Sequence, residues 1–199
     1  MGNSHQRLKA LDMSPRITVH SIDDAPESSR GPLRAAQRRY GKVLNIHGAM
    51  AHAPVVLSAY TGIQQAIAAH GSFDPRVREA IALAVANADD CDYCQSAHTV
   101  AAQAAGWTAA ETVAIRAGGP LDGHRKLEAL LAVARETALA VGDVDESTWR
   151  AAREAGWTDT ELAELFAHVM ANVYTNYFNH YAHTELDIPA APGISSATP

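Results

Sequence analysis

The amino-acid sequence predicts an all-α protein, and three observations favour this class. Hydrophobic residues make up 47% of the 199 positions but aromatic residues only 6%, which favours helices over a β-sandwich rich in aromatic and β-branched side chains. Apolar residues recur with the helical period along most of the chain. No segment alternates between apolar and polar side chains, as a strand would, for more than about four residues.

The length suits one domain with a substantial core. We expect an N-terminal arm, partly flexible, over residues 1–30, where Ser, Asp, Pro and Arg mix without sustained periodicity. Helical patterning starts near Pro32, and a single helical domain is predicted over residues 31–189. Residues 190–199 form the predicted C-terminal tail.

Two consecutive helices are predicted in the first half of this domain. One covers 54–70, where an apolar stripe faces the core and Gly71 ends the helix. Asp74 and Pro75 are typical of the N-cap and the first position of the next helix, which extends to about Asp89. Its second half is apolar on every side, so we expect it to be buried.

The phrase Ala-Gly-Trp-Thr-x-x-Glu occurs at 105–111 and again at 155–161. Its Thr-x-x-Glu portion is a capping box, so each copy predicts a helix that ends at Gly, a Trp packed in the corner and a new helix. This pattern predicts a duplicated helix-turn-helix unit. A helix over about 121–141 lies between the copies, and the last helix covers 159 to about 180. The predicted core stripe of that last helix comprises Leu162, Leu165, Phe166, Val169, Met170 and Val173.

The charge pattern and the hydropathy exclude several classes of function. The formal net charge is −6 and no block of Lys and Arg occurs, so nucleic acid is not an expected partner. The longest apolar run, 80–86, is far too short to cross a membrane. No secretory signal is visible at the N-terminus. We therefore expect a cytoplasmic protein, in which cysteines stay reduced unless they bind metal or carry redox chemistry.

The two cysteines of the chain are separated by two residues, in the motif Cys91-Asp92-Tyr93-Cys94. Random placement gives this spacing only about once in a hundred arrangements. The motif begins a predicted helix, and a helix N-terminus favours the reactive thiolate. Side chains three positions apart on a helix are neighbours, so the pair can form a disulfide with little backbone movement. His98 continues the same stripe and can take a thiol proton and return it to a leaving group.

Glu79 extends this group from the preceding helix. It is the last charged residue before the apolar run, and a carboxylate that is partly buried needs a hydrogen-bonding partner. If the chain reverses near Asp90, the order of the groups from the turn is Cys91, Cys94, His98 and Glu79, as a proton relay requires. The helical rise leaves Glu79 about 6 Å farther from the turn than His98, so a crossing angle or a bridging water has to close the gap.

Other interpretations of these residues stay open. Cys91, Cys94 and His98 can be zinc ligands if a fourth ligand joins them, although three ligands within one short stretch are cramped for a tetrahedron. The cysteines can also be inert buried thiols. Farther along the chain, a helical stripe lines a pocket or a subunit seam, or is simply a solvated face; it comprises His168, Asn172, Thr175 and Asn179.

Glu79 with Cys91-x-x-Cys94-x-x-x-His98, after an acidic lead-in, resembles the signature of one known family. This is the alkylhydroperoxidase D (AhpD)-like branch of the carboxymuconolactone decarboxylase superfamily, and the resemblance extends from about Arg38 to Pro189. It implies an AhpD-like helical fold, a homo-oligomer that is a trimer or a hexamer, and no cofactor. It also implies reduction of a hydroperoxide substrate, with electrons from a dithiol or lipoyl-type donor, or transfer of those electrons to a peroxiredoxin.

The same resemblance assigns roles to four catalytic residues. Cys94 attacks the peroxide, Cys91 resolves the intermediate, and His98 and Glu79 form the relay. The best-studied members have His where this chain has Tyr93. Two alternatives remain: a non-catalytic oligomeric or metal-binding protein that keeps the fold, and a lactone decarboxylase-like enzyme of the same superfamily, which works without the cysteine pair.

Overall fold

The all-α prediction is confirmed by a computed structural model, which describes residues 14–193. The helices of this part of the chain are α1 (Glu27–Tyr40), α2 (Asn45–Met50), α3 (Pro54–His70), α4 (Pro75–Ala88), α5 (Asp92–Ala104), α6 (Ala109–Ala117), α7 (Arg125–Leu139), α8 (Glu146–Glu154) and α9 (Asp159–Ala182). Residues 1–13 of the predicted arm and 194–199 of the predicted tail lie outside the described residues.

The described residues divide into two compact units. The first comprises 14–58 and 178–187. In it, α1 and α2 are tied together where the buried Ser29 donates its Oγ proton to the carbonyl of Ala51 at 2.8 Å. Gly48 of α2 lies against the extended N-terminal segment, and a Cβ at this position would be 2.6 Å from the carbonyl oxygen of His20. Only glycine permits so close an approach of the two backbones.

The second unit comprises 59–177 with 188–193, and it holds the hydrophobic core. The second half of α4 is buried on every side, as the sequence predicts. Around it pack side chains of α5 to α9, among them Ala102, Ile115, Leu130, Ala152, Leu165 and Val169. Asp74 is the N-cap of α4, and its carboxylate accepts a hydrogen bond from the amide of Val77 at 2.9 Å.

The duplicated unit of the sequence is visible as two matching corners. The indole N–H of Trp107 donates to the carbonyl of Arg76 at 2.8 Å, and that of Trp157 donates to the carbonyl of Lys126 at 2.7 Å. The Arg76 guanidinium lies 3.9 Å from the centre of the Trp107 ring, and the Lys126 ammonium 4.2 Å from that of Trp157. Each corner thus adds a cation–π contact to a buried indole.

Both capping boxes form as predicted. The Thr108 hydroxyl accepts the amide proton of Glu111 at 3.2 Å, while the Glu111 carboxylate accepts the amide proton of Thr108 at 2.7 Å. Thr158 and Glu161 repeat this exchange at 3.2 and 2.8 Å. The two copies therefore begin α6 and α9 with the same local chemistry.

Several details differ from the sequence-based expectations. Helix α1 begins at Glu27 and contains Pro32, which was expected to mark its start. Helix α7 is shorter than predicted, because a turn precedes Arg125. The assignment of Phe166 to the core stripe of α9 is wrong, since 56% of this residue is exposed. At 3.6 residues per turn, Phe166 lies about 100° around the helix from the buried Leu165, at the edge of the core stripe.

Candidate functional site

The site begins at the tight turn between α4 and α5. Asp89 is the C-cap of α4, Asp90 has a left-handed φ of +52°, and Cys91 is the N-cap of α5. The amide of Cys91 donates to the carbonyl of Ala86 at 2.9 Å. The chain therefore reverses within three residues, and α5 packs along α4. Cys91 lies at the start of its helix, as predicted.

The sulfur of Cys91 caps α5. It accepts a hydrogen bond from the backbone amide of Cys94 at 3.3 Å, in the place where a Ser or Asp oxygen usually stands. Only 1% of Cys91 and 3% of Cys94 are exposed. The sulfur thus satisfies one of the unpaired amides of the first helical turn.

His98 and Glu79 form the predicted pair directly. Nδ1 of His98 lies 2.8 Å from Oε2 of Glu79, and the side chains are 27% and 23% exposed. The expected offset along the helices is therefore closed without a bridging water. With Nδ1–H donating to the carboxylate, the imidazole presents Nε2 as its proton-accepting atom. Cys94 precedes His98 by one helical turn on the same stripe.

The stripe on α9 is not the solvated face that one interpretation offered. His168, Thr175 and Asn179 are buried, and Asn172 is half-buried. His168 pairs through Nε2 with the Glu164 carboxylate at 3.3 Å rather than with a cysteine. This part of the stripe therefore belongs to the scaffold.

Glu164 binds the segment that precedes α4 through hydrogen bonds. It accepts hydrogen bonds from the amide and hydroxyl of Ser72 at 2.8 and 2.6 Å, and from the amide of Phe73 at 3.1 Å. Burial opposes the charged form of this carboxylate, but the hydrogen bonds from Ser72, Phe73 and His168 outweigh burial and lower its pKa. Burial in turn lowers the pKa of His168, against the favourable charge of Glu164.

One residue beside this stripe was missed by the sequence analysis. Asn176 of α9 is completely buried, and its Nδ2 donates to the Asp89 carboxylate at 2.7 Å. This contact joins residues 87 positions apart, so no local pattern announces it. Its only sequence signal is a polar residue next to Thr175 within an otherwise core-facing helix.

The zinc alternative needs a group of ligands. Between residues 14 and 193, no cluster of three or more His, Cys, Asp and Glu side chains is arranged to hold a metal ion. In the same part of the chain, no helix combines the length and the apolar character needed to span a membrane.

Part of the chain matches a known protein family. Residues 54–136 match the model of the Carboxymuconolactone decarboxylase family. A search of curated protein sequences found no match. The matched segment contains Glu79, both cysteines and His98, so it includes all four residues that the sequence analysis predicts to be catalytic.

The solved structures that are similar in fold include the following three. An uncharacterised peroxidase-related protein from Ralstonia eutropha JMP134, described as an alkylhydroperoxidase AhpD core, is 21% identical, with a TM-score of 0.76 over 87% of this chain and 92% of that one. The debrominase Bmp8 in complex with 2,3,4-tribromopyrrole is 19% identical, with a TM-score of 0.74 over 86% and 91%. A peroxidase-related protein from Silicibacter sp. TM1040 is 20% identical, with a TM-score of 0.70 over 86% and 93%.

The fold is thus the AhpD-like helical fold that the sequence analysis predicts. The match of residues 54–136 to the Carboxymuconolactone decarboxylase family model agrees with the resemblance that the sequence motif indicates. Members of this superfamily are enzymes. The similar structures include both peroxidase-related proteins and a debrominase, so the family alone does not select the reaction.

Proposed function

We propose that this protein is a cofactor-free thiol oxidoreductase that reduces hydroperoxides through Cys94 and Cys91. The observation that carries the proposal is the hydrogen bond of 2.8 Å between Glu79 and His98. It supplies an oriented base on the helix that also carries both thiols. The burial of the cysteines favours it too, because buried thiolates and leaving groups depend on nearby protein groups for their protons.

The first step oxidises Cys94. His98 takes the thiol proton, and the thiolate attacks one oxygen of the peroxide, so that an S–O bond forms while the O–O bond breaks. The leaving alkoxide takes the proton from His98 and departs as an alcohol. The sulfur loses two electrons and becomes a sulfenic acid. The negative charge of Glu79 stabilises the imidazolium that forms during this transfer.

The second step forms the disulfide. The Cys91 thiolate attacks the Cys94 sulfur, an S–S bond forms and the S–O bond breaks, and the hydroxide leaves as water with the proton that Cys91 gave up. A dithiol, such as a lipoyl-type donor, then returns two electrons by thiol–disulfide exchange and restores both thiols. If the electrons go to a peroxiredoxin instead, the same disulfide forms by exchange with that protein.

We also propose that the protein acts as a homo-oligomer, either a trimer or a hexamer. Phe166 and Tyr177 of α9 are each 56% exposed, and large exposed apolar side chains favour association with a partner. A second copy of the chain is the expected partner. Sedimentation of the wild type and of Phe166→Ser measures this directly: the variant is expected to shift toward monomer, and a monomeric wild type would contradict the proposal.

A second candidate function is the removal of bromine from an aromatic ring, which the similarity to the debrominase favours. The Cys94 thiolate would attack the halogen, so that an S–Br bond forms and the C–Br bond breaks. The ring carbon takes a proton from His98. Cys91 then displaces bromide and forms the disulfide. The products are the reduced ring, bromide and a disulfide, so the same two thiols supply the two electrons.

A thiol count distinguishes the two candidates. The chain contains only Cys91 and Cys94, so each oxidation event is visible without interfering thiols. We expect one equivalent of alkyl hydroperoxide to remove both thiols and a dithiol reductant to restore them. Loss of thiols with 2,3,4-tribromopyrrole and release of bromide, without reaction with peroxide, would select the second candidate. Thiols that survive both reagents would exclude both.

A further inference from the structure

The turn that precedes Cys91 is hydrogen-bonded to a residue of α9. Asn176 has no exposed surface, and its Nδ2 donates to Oδ2 of Asp89 at 2.7 Å. Asp89 stands two residues before Cys91. A second, longer contact of 3.4 Å joins Asn87 to Gln95 across the same helix pair. The turn is therefore held both within the helix pair and from α9.

The chemistry of Asn176 indicates what its amide contributes. Its Oδ1 is buried and makes no hydrogen bond among the described residues, which destabilises the folded chain. An apolar side chain of similar size would avoid that cost. The opposite end of the amide donates to a carboxylate, and such charge-assisted bonds are stronger and more directional than neutral ones. The Asn176 side chain thus leaves its Oδ1 without a hydrogen bond, while its Nδ2 makes a directional contact with the turn.

The turn needs such a contact because its central residue has an uncommon backbone conformation. Asp90 adopts φ +52°, in the left-handed region that glycine adopts most readily and that Asp adopts more often than most other residues. A turn with such a residue can relax by rotating its neighbours. Since Cys91 follows immediately, relaxation of the turn would carry its sulfur away from the position in which it accepts the Cys94 amide.

We propose that Asn176 is a positioning residue for Cys91, and that it controls the step in which the two cysteines form their disulfide. The inference rests on the thiol chemistry of the proposed function. Disulfide formation requires a narrow range of Cβ–S–S–Cβ geometry, so a displaced Cys91 reacts slowly. The attack of Cys94 on peroxide does not involve Cys91, and it is expected to be independent of Asn176.

The test measures the two steps separately in a single turnover. With one equivalent of peroxide, Asn176→Ala is expected to consume peroxide at the wild-type rate within twofold. Formation of the disulfide is expected to slow at least tenfold, with a sulfenic acid that dimedone traps. Asn172→Ala is the matched control, since its amide donates to the carbonyl of His168 on its own helix. This control should change neither step.

Rescue separates positioning from general stability. Asn176→Asp places two carboxylates side by side and should slow the disulfide step as Asn176→Ala does. Combining it with Asp89→Asn restores an amide–carboxylate pair with the roles reversed, and at least half of the lost rate is expected to return. An equal slowing of both steps, an unchanged disulfide step, or no rescue by the double variant would each overturn the proposal.

Two further measurements keep the test decisive. If Asn176→Ala does not fold, Asp89→Asn alone weakens the contact without removing a buried side chain, and the same selective slowing is expected. If the wild type does not consume peroxide, the thiol oxidant diamide supplies the disulfide-forming reaction. Slower diamide oxidation in Asn176→Ala would then support the positioning role even though the proposed peroxidase activity had failed, and equal rates would overturn the positioning role.

Discussion

His98 Nδ1 and Glu79 Oε2 lie 2.8 Å apart, on two helices joined by a three-residue turn. The contact orients the imidazole, because the carboxylate accepts one ring proton and leaves the other nitrogen available as a base. The pair is partly exposed, whereas the thiols are buried. This arrangement suits a base that exchanges protons with solvent between turnovers.

The proposed roles of the two cysteines can be tested separately by mutation. Cys94→Ser is expected to abolish peroxide consumption, because it removes the attacking sulfur. Cys91→Ser should consume about one equivalent and stop at a sulfenic acid, since no thiol remains to resolve it. Dimedone labelling followed by intact-mass measurement checks both outcomes. Normal turnover by both variants would exclude the thiol mechanism, and the reversed pattern would exchange the two roles.

Replacement of His98 tests the relay. His98→Gln keeps a hydrogen-bonding side chain but removes the titrating group, so the alkylation rate of the cysteines should fall. The rate should be lower at every pH tested, because no side chain remains to take the thiol proton. Stopped-flow alkylation across a range of pH measures this. If the wild type and His98→Gln have equal profiles, the helix N-terminus alone activates the thiol.

Glu79 should act through His98 and not independently. We expect Glu79→Gln to lower the alkylation rate by less than His98→Gln does, because the imidazole keeps a hydrogen-bonding partner. The double variant should lose little beyond His98→Gln alone, since groups that act as one unit are not additive. Independent, additive losses would assign Glu79 a structural role.

His47 predicts a dependence of stability on pH. Burial lowers the pKa of His47 to about 4, and the charge of Arg39 adds to this effect while that of Asp187 opposes it. Between pH 6.5 and 4, His47 is therefore protonated in the unfolded chain but stays neutral in the folded chain. The free energy of unfolding should fall as the pH falls through this window, by up to about 3 kcal/mol from this group.

Urea unfolding at several pH values checks this effect of His47. His47→Gln should flatten the slope between pH 6.5 and 4, whatever it does to stability at neutral pH. The control variant is His70→Gln, because His70 is exposed. Its free energy of unfolding should depend on pH as that of the wild type does. An unchanged slope in His47→Gln would show that other groups cause the acid sensitivity.

Metal content tests the alternative of a metal-binding protein. Protein purified without chelator is expected to contain well under one zinc per chain, and a chelator should leave the helical circular dichroism signal unchanged. Elemental analysis and a thermal scan provide the measurements. Stoichiometric zinc whose removal unfolds the protein would favour a metal-binding function over the thiol chemistry.

Features with a local cause could be predicted from the sequence. Asp74 caps α4, and a short carboxylate before a proline is typical of that position. The capping box of Thr108 and Glu111 indicates the helix start that follows the Trp107 corner. The spacing of Cys94 and His98 sets their common face in any helix. These features depend on neighbours along the chain, which the sequence shows directly.

Features that depend on how helices cross could not be predicted. The rise per residue suggests a gap between Glu79 and His98, but in the packed helix pair the two side chains lie 2.8 Å apart. The contact of Asn176 with Asp89 joins distant parts of the chain. The exposure of Phe166 depends on which side of α9 its neighbours cover. In each case tertiary packing decides the outcome.

The two matching corners differ in the chemical groups that they carry. Fifty residues beyond Glu79 and His98 stand Ala129 and Thr148, so the second copy retains the indole corner and the capping box but none of the reactive groups. The second copy therefore contributes its Trp157 corner to the core without contributing a residue to the candidate site. Reactive side chains can consequently change in the first copy without removing the support that the second provides.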